Sequence, residues 1–177
     1  MKPFCIGLFL MIVFASCSHK KTTTIPKAPV SAEGAKIHFR NKDYSTIKIG
    51  LVTGDPKKEV EWMDEMKDST SDLFREIVAD GKQFRLHFLD DKNVEVTVDD
   101  KKIVANYTVD DLVKKGESEG TKLRLSFPEN SIADSSHMLS SKSFLVKGVD
   151  GRKLLLGISR NYDNRPVVLL MKSQEEK

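Results

Sequence analysis

Cysteine is almost missing from this chain. Its two copies, Cys5 and Cys17, both fall within the first 17 of 177 residues. Everything beyond them has no thiol, no disulfide and no cysteine ligand for a metal, so a fold there rests on its core alone. Proline and glycine are scarce, 6 and 10 copies, which excludes a collagenous or low-complexity chain. A single-sign charge is missing too: 29 Lys and Arg face 26 Asp and Glu, interleaved along the sequence. No basic stripe emerges, and nucleic acid is not an expected partner. The histidines at 19, 38, 87 and 137 lack ligand spacing, so no metal and no cofactor is expected.

What is present begins with the first residues. Lys2 is followed by an uncharged apolar run from Phe4 to Phe14, then by the small residues Ala15 and Ser16. The run of 11 is far short of the roughly 20 residues needed to cross a bilayer, and has the length of a signal-peptide apolar region. Phe14-Ala15-Ser16-Cys17 resembles the lipobox of bacterial lipoproteins, with Phe where that family most often has Leu. The resemblance covers residues 1–17. It implies cleavage before Cys17, a diacylglyceryl thioether on its sulfur, and membrane anchoring by lipid. Ser18 resembles outer-membrane sorting in some bacteria, so the expected address is the cell envelope, outer membrane over inner. Cleavage removes Lys2 and leaves 28 basic against 26 acidic residues, a net charge of +2.

Residues 17–35 contain Lys20, Lys21, three consecutive threonines, Pro26, Pro29 and Gly34, with almost nothing apolar. That composition reads as a flexible tether with an r.m.s. reach of about 25 Å. Residues 36–172 then suffice for one domain of ordinary size, and 173–177 form a polar tail.

From residue 82 the apolar period is two. Phe84-Leu86-Phe88, Val94-Val96-Val98, Ile103-Ala105-Tyr107-Val109 and Leu123-Leu125-Phe127 alternate with polar residues, and Asp, Asn or Gly stands at each break. Asp150-Gly151, between the runs Phe144–Val149 and Arg152–Ile158, predicts a type I′ hairpin turn. Leu154-Leu155-Leu156 is apolar on both faces and predicts a strand covered on both sides. Val167 to Met171 gives the last strand, with Pro166 tolerable at its start.

Earlier, Ile37 and Phe39 read as one strand and Ile47, Ile49 and Leu51 as another. Asp55-Pro56 reads as a helix start, with Val60, Met63 and Met66 on one side, although Val60 and Trp62 also fit a strand. Ser69 to Asp72 predicts a second cap, followed by Leu73, Phe74, Ile77 and Val78 at helical spacing and a stop at Gly81. The expected fold is mainly β, an antiparallel meander forming a small barrel or sandwich with one or two early helices; a helix-on-sheet α+β fold is the alternative. The meander over 82–172 resembles the small lipocalin-like barrels of bacterial lipoproteins. The strand-helix-strand stretch from Ile47 to Phe88 is similar to the start of a periplasmic binding protein, but the all-β remainder argues against that fold.

Three acid pairs stand out: Asp90-Asp91, Asp99-Asp100 and Asp110-Asp111. In a meander the first and third share an end, where four carboxylates would suit Ca²⁺, but Ca²⁺-loop spacing is missing and Asp also closes turns by itself. Asp134, Ser135, Ser136 and His137 contain the letters of a hydrolytic triad without a nucleophile elbow, so a solvated loop is expected and no catalytic residue is assigned. Gly50 to Asp55 lacks the Lys of a phosphate-binding loop. Arg160, Tyr162 and Arg165 place two guanidiniums and a phenol on one short connection, a candidate recognition loop for a polar partner beside its plainer reading as a hydrophilic hairpin.

The expected function is therefore a non-enzymatic envelope lipoprotein whose β domain binds a small apolar ligand or an envelope protein. An accessory or assembly subunit of an envelope complex is the alternative, and an envelope hydrolase the third. The anchor has a direct test. Cells fed labelled fatty acid should label the wild type and leave Cys17→Ala unlabelled; equal labelling of both, or of neither, removes the lipoprotein reading.

Overall fold

The computed structural model describes residues 24–26, 31–55, 59–66, 71–114, 117–129, 131, 139 and 142–174. The expected signal, Cys17, most of the tether, Pro56 and the Asp134–His137 loop lie outside them. The chain is mainly β: among the described residues, nine antiparallel strands form one sheet, with two α-helices. In order these are α1 (Ala32–Phe39), β1 (Asp43–Val52), β2 (Val60–Trp62), a 3₁₀ turn (Met63–Glu65), α2 (Asp72–Gln83), β3 (Arg85–Phe88), β4 (Asn93–Val98), β5 (Lys101–Lys114), β6 (Glu117–Ser126), β7 (Ser143–Val149), β8 (Lys153–Tyr162) and β9 (Arg165–Gln174). β3 to β9 follow one another as a meander, and β1 joins β9 to β3, so the strands close into a ring of hydrogen bonds. The closure is compatible with a barrel-like arrangement. Among the described residues no helix is long and apolar enough to cross a membrane.

The two-residue period does what it predicts. Leu86, Phe88, Val94, Val96, Val98, Ala105, Tyr107, Val109, Leu123 and Leu125 all point inward and are buried. Each such Val, Leu or Phe side chain contributes about 1.5–3 kcal/mol on leaving water. Aromatic rings occupy the interior: Phe39 stacks on Phe88 at 4.5 Å, Tyr107 meets Phe88 edge-on at 5.0 Å, and Phe84 lies 5.6 Å from Phe144.

Strand direction alternates round the ring, so the Asp90–Lys92 and Asp150–Arg152 turns share the end where α1 lies, and the Asp99–Asp100 and Asp163–Asn164 turns share the other. α1 plugs its end. The Ser31 hydroxyl caps it by accepting from Gly34 N–H at 3.1 Å, and Ala35 and Phe39, four residues apart, turn into the core. This corrects the strand expected at Ile37 and Phe39: Ile37 is 71% exposed on the helix's outer side. It also places Ala32 to Ala35, expected in the tether, inside the fold; at the other end Ser173 and Gln174, expected in the tail, complete β9.

α2 forms where expected, with Ser71 as N-cap and Phe74 and Ile77 buried. It runs on through Gly81, which is buried against Ile49, to Gln83, and so fills the gap left where β3 covers only the first residues of β1. The helix expected from Asp55 is instead β2 and a 3₁₀ turn, the strand alternative for Val60 and Trp62. Ile47 does not face the core: β1 bulges against β9 between Thr46 and Lys48, and Ile47 is left 46% exposed.

The Asp150-Gly151 turn is also corrected. Positive φ falls on Gly151 alone, at 79°, so the pair does not have the double positive φ of a type I′ turn. Asp150 stands before the bend, where its Oδ1 accepts the N–H groups of Arg152 and Lys153 at 2.9 and 2.7 Å. The two-positive pattern occurs instead at Asp99-Asp100 and Asp163-Asn164. Gly151 remains the position that excludes a side chain. A Cβ there would sit 3.3 Å from His38 Nδ1 of α1 as well as at positive φ. Gly151→Val should lower stability by roughly 1–3 kcal/mol, and Asp150→Asn, which keeps the accepting oxygen, should be nearly neutral. Denaturant midpoints of the two variants check this; an unmoved midpoint for Gly151→Val would mean a turn that tolerates a side chain.

Candidate functional site

Leu154-Leu155-Leu156 is covered on both faces, as its sequence predicts. Leu154 and Leu156 enter the interior, while Leu155 joins Val168, Leu170, Val60 and Trp62 in a second apolar cluster on the outer side of the ring. β2 builds that cluster by lying on β1. Gly50 makes this approach feasible, because a Cβ on it would fall 2.4 Å from Val60 Cγ1 and 2.9 Å from Trp62. Lys48 Nζ lies 5.5 Å from the centre of the Trp62 ring and pairs with Glu65 at 2.7 Å.

The N-terminal segment completes the cluster. Ile25 packs on it, Pro26 is buried, and the Thr24 carbonyl accepts from Lys153 Nζ at 2.9 Å. Between this strap and the β1–β2 loop lies an open groove of ≈ 630 Å³, floored by Val52, Val60, Leu155 and Val168 and rimmed by Asp55, Glu59 and Lys147. The loop is closed at its base by Thr53 N–H donating to the Glu59 carbonyl at 3.0 Å. A second hollow of ≈ 390 Å³ adjoins it across Lys147 and Val168, extending over Leu145, Gly157 and Pro166 to Leu112 and Lys122. This surface was half legible in the sequence: the two-faced Leu run signalled a cover, but not which segments provide it.

Arg160, Tyr162 and Arg165 come together differently from a recognition loop. Arg160 pairs with Glu76 of α2 at 3.0 Å and stands 3.8 Å from Asp80. Tyr162 meets Phe74 edge-on at 5.6 Å, and its hydroxyl shares a 3.2 Å hydrogen bond with Ser71. Arg165 pairs with Glu61 of β2 at 2.7 Å. The three side chains brace α2 and β2 against the β8–β9 hairpin. Sequence could not show this, since the partners lie about a hundred residues upstream.

The first and third acid pairs are spent on the fold. Asp90 Oδ1 accepts the N–H groups of Lys92 and Asn93, both at 2.7 Å, and its Oδ2 takes the Asn93 amide. Asp91 pairs with Arg40 at 2.6 Å, Asp110 with Arg124 at 3.0 Å, and Asp111 caps α1 at the Ala32 N–H. The first and third pairs thus flank α1 at one end, holding its two termini. Among the described residues no three His, Cys, Asp or Glu side chains converge as a metal site. His87 lines a polar hollow with Asp43, Arg85 and Glu95 on the outer side of β3 and β4.

Compared with protein-family models, curated proteins and solved structures, the chain matches none. Neither lipoprotein nor lipocalin membership is therefore carried by a match.

Electrostatics at the α1 end define a pH window. Hydrogen bonds from Asn93 hold Asp90 below the usual carboxylate range, and the hydrogen bond from Arg40 does the same for Asp91. Burial pushes the Tyr107 phenol from 10.0 up to about 12, with Asp91 and Asp90 adding to it, and burial raises Tyr44 as well. A raised phenol favours the native state fully below its unfolded value; that contribution is lost as pH climbs towards the folded one. The depressed carboxylates contribute above their unfolded values and lose it as pH falls through the folded ones. Stability should therefore decline in alkali between pH 10 and about 12. Tyr44→Phe/Tyr107→Phe should flatten that decline in a denaturant-midpoint series, whereas an unchanged slope would place the alkaline loss elsewhere.

Proposed function

We propose that this chain is an exported, non-catalytic lipoprotein, tied to an envelope membrane through Cys17, that docks an envelope protein on the outer groove beside β2. The export half rests on the order of Lys2, the apolar run, Ala15-Ser16 and Cys17. The docking half rests on one observation: the interior of the ring is filled by Phe39, Phe84, Phe88 and Phe144, each at most 1% exposed, while the open apolar volume lies outside it, between the strap and the β1–β2 loop. A small apolar ligand within the ring would need a cavity where these rings stand, and emptying such a volume costs several kcal/mol. A groove with an apolar floor and a charged rim suits the anatomy of a protein interface: a desolvated centre and polar margins.

The rim position Lys147 provides the test. A photo-crosslinking residue at 147 in the full chain should capture one discrete protein in cells, and the same residue at Thr108, exposed on the outer side of β5, should not. Leu155→Asp, which puts a charge in the groove floor, should abolish capture at 147 while the protein still accumulates. Equal capture at both positions, or capture unaffected by Leu155→Asp, counts against the groove.

A further inference from the structure

We propose that the α1 end of the outer face of β7, β8 and β9 rests on the anionic headgroups of the membrane to which Cys17 ties the chain. The inference rests on the lipid-anchor reading above and adds an orientation to it. The first argument is where the leash leaves the domain. Lys153 Nζ holds the Thr24 carbonyl, and Ile25 and Pro26 continue along the outer cluster, so the fold begins well before residue 36. Only residues 17–23 separate the lipidated position from the clamped carbonyl. Fully extended, that stretch covers at most about 25 Å, which leaves little freedom to turn the strapped face from the bilayer.

The second argument is charge. Lys153 and Lys172 are register partners on β8 and β9, and because Leu154 and Met171 beside them face the interior, both ammonium groups lie on the outer side. Like charges directly opposite in a sheet cost stability, so the fold gains nothing from this pairing. On β7, Lys147 sits at the bulge opposite Leu155 and Leu156, further along the same outer face; it is exposed, as is Lys172, and among the described residues neither has an acidic partner. Asp150 at the neighbouring turn commits its Oδ1 to two backbone N–H groups. The outer side of β3 to β5 contrasts, for there Lys102 pairs with Glu95 at 2.8 Å. The acids of the groove, Asp55 and Glu59, sit on the β1–β2 loop at the far end of the strands. The face is basic where the leash departs, and the acids of the groove lie at the other end of the strands, with Lys147 on the groove rim between them. Three lysines near an anionic surface supply the attraction that one short leash then makes local.

The test uses the lipidated full chain, made in bacterial cells and reconstituted in vesicles. An environment-sensitive dye is placed on Gln174→Cys at the basic end or on Thr108→Cys on β5, both exposed positions. In vesicles rich in phosphatidylglycerol, emission at 174 should rise by at least about twofold and emission at 108 should stay flat. The rise should vanish in phosphatidylcholine alone, in Lys147→Glu/Lys172→Glu, and in about 1 M salt, where the screening length falls to about 3 Å. The salt arm keeps the proposal testable if the charge reversal disturbs the fold. A chain that floats with vesicles but responds alike at both positions, or not at all at 174, overturns the orientation while sparing the anchor. Unmodified Cys17, seen as an unshifted mass, together with a failure to float, ends the anchor reading and this proposal with it.

Discussion

The pairing of β1 with β9 is the constraint on which the rest depends. These strands lie more than a hundred residues apart, yet they are registered from Asp43–Gln174 to Leu51–Val167. Without that ladder the meander is an open sheet with two exposed edges and an interior that faces water. With it, β1 acquires a second task on its other side. Its first residues pair with β3, its last with β2, and the gap between is filled by α2. A strand with that many neighbours cannot run straight, and the bulge at Ile47 re-aims it partway. Such non-local closure slows folding, because the loop-closure entropy precedes its reward.

Closure also creates two apolar faces where a simple ring needs one. On β8 and β9 alternate residues enter the interior, but the residues between them, Leu155, Val168 and Leu170, are apolar as well. An exposed patch of that kind invites association. The chain covers it twice, with β2 across Gly50 and with the Ile25-Pro26 strap, and the cover stops short of Lys147, where the groove stays open. Open groove and stabilising cover are thus parts of one apolar region.

The strands were legible because a two-residue period is a local signal, and so was α2, whose cap and apolar side lie within one short stretch. α1 was not. Ile37 and Phe39 mimic strand alternation, and only the tertiary position of the helix decides that Phe39 is buried with Ala35 while Ile37 meets water. The same reasoning explains the turns. Asp-Gly carries the stronger local preference, yet the bulge between Val146 and Gly148 shifts the β7–β8 register and moves the bend one residue on. Arg160 and Arg165 were legible as charged and clustered, but their role was not, because Glu76 and Glu61 reach them only through the fold. Of the groove, the sequence showed the two-faced leucines and nothing of its walls.

Packing then decides which apolar surface stays open. A ring that holds a ligand must leave its interior underfilled and one end open. Here the α1 end is shut by a helix fixed at both termini, Ala32 on Asp111 and Arg40 on Asp91, with Phe39 stacked on Phe88 beneath it. The exposed Arg40–Asp91 pair contributes little by itself. The stacked rings and the buried Tyr44, whose hydroxyl donates to the His38 carbonyl at 3.0 Å, tie the plug to the wall. Opening that end would break aromatic packing and leave the Tyr44 hydroxyl and its carbonyl without their partners, a cost of several kcal/mol that a small apolar guest must exceed before it gains anything. The outer face asks for no such sacrifice: its apolar floor is already built, its rim is already charged, and its volume is already open to whatever approaches. The same side chains that close the interior thus leave the outer apolar face as the open surface.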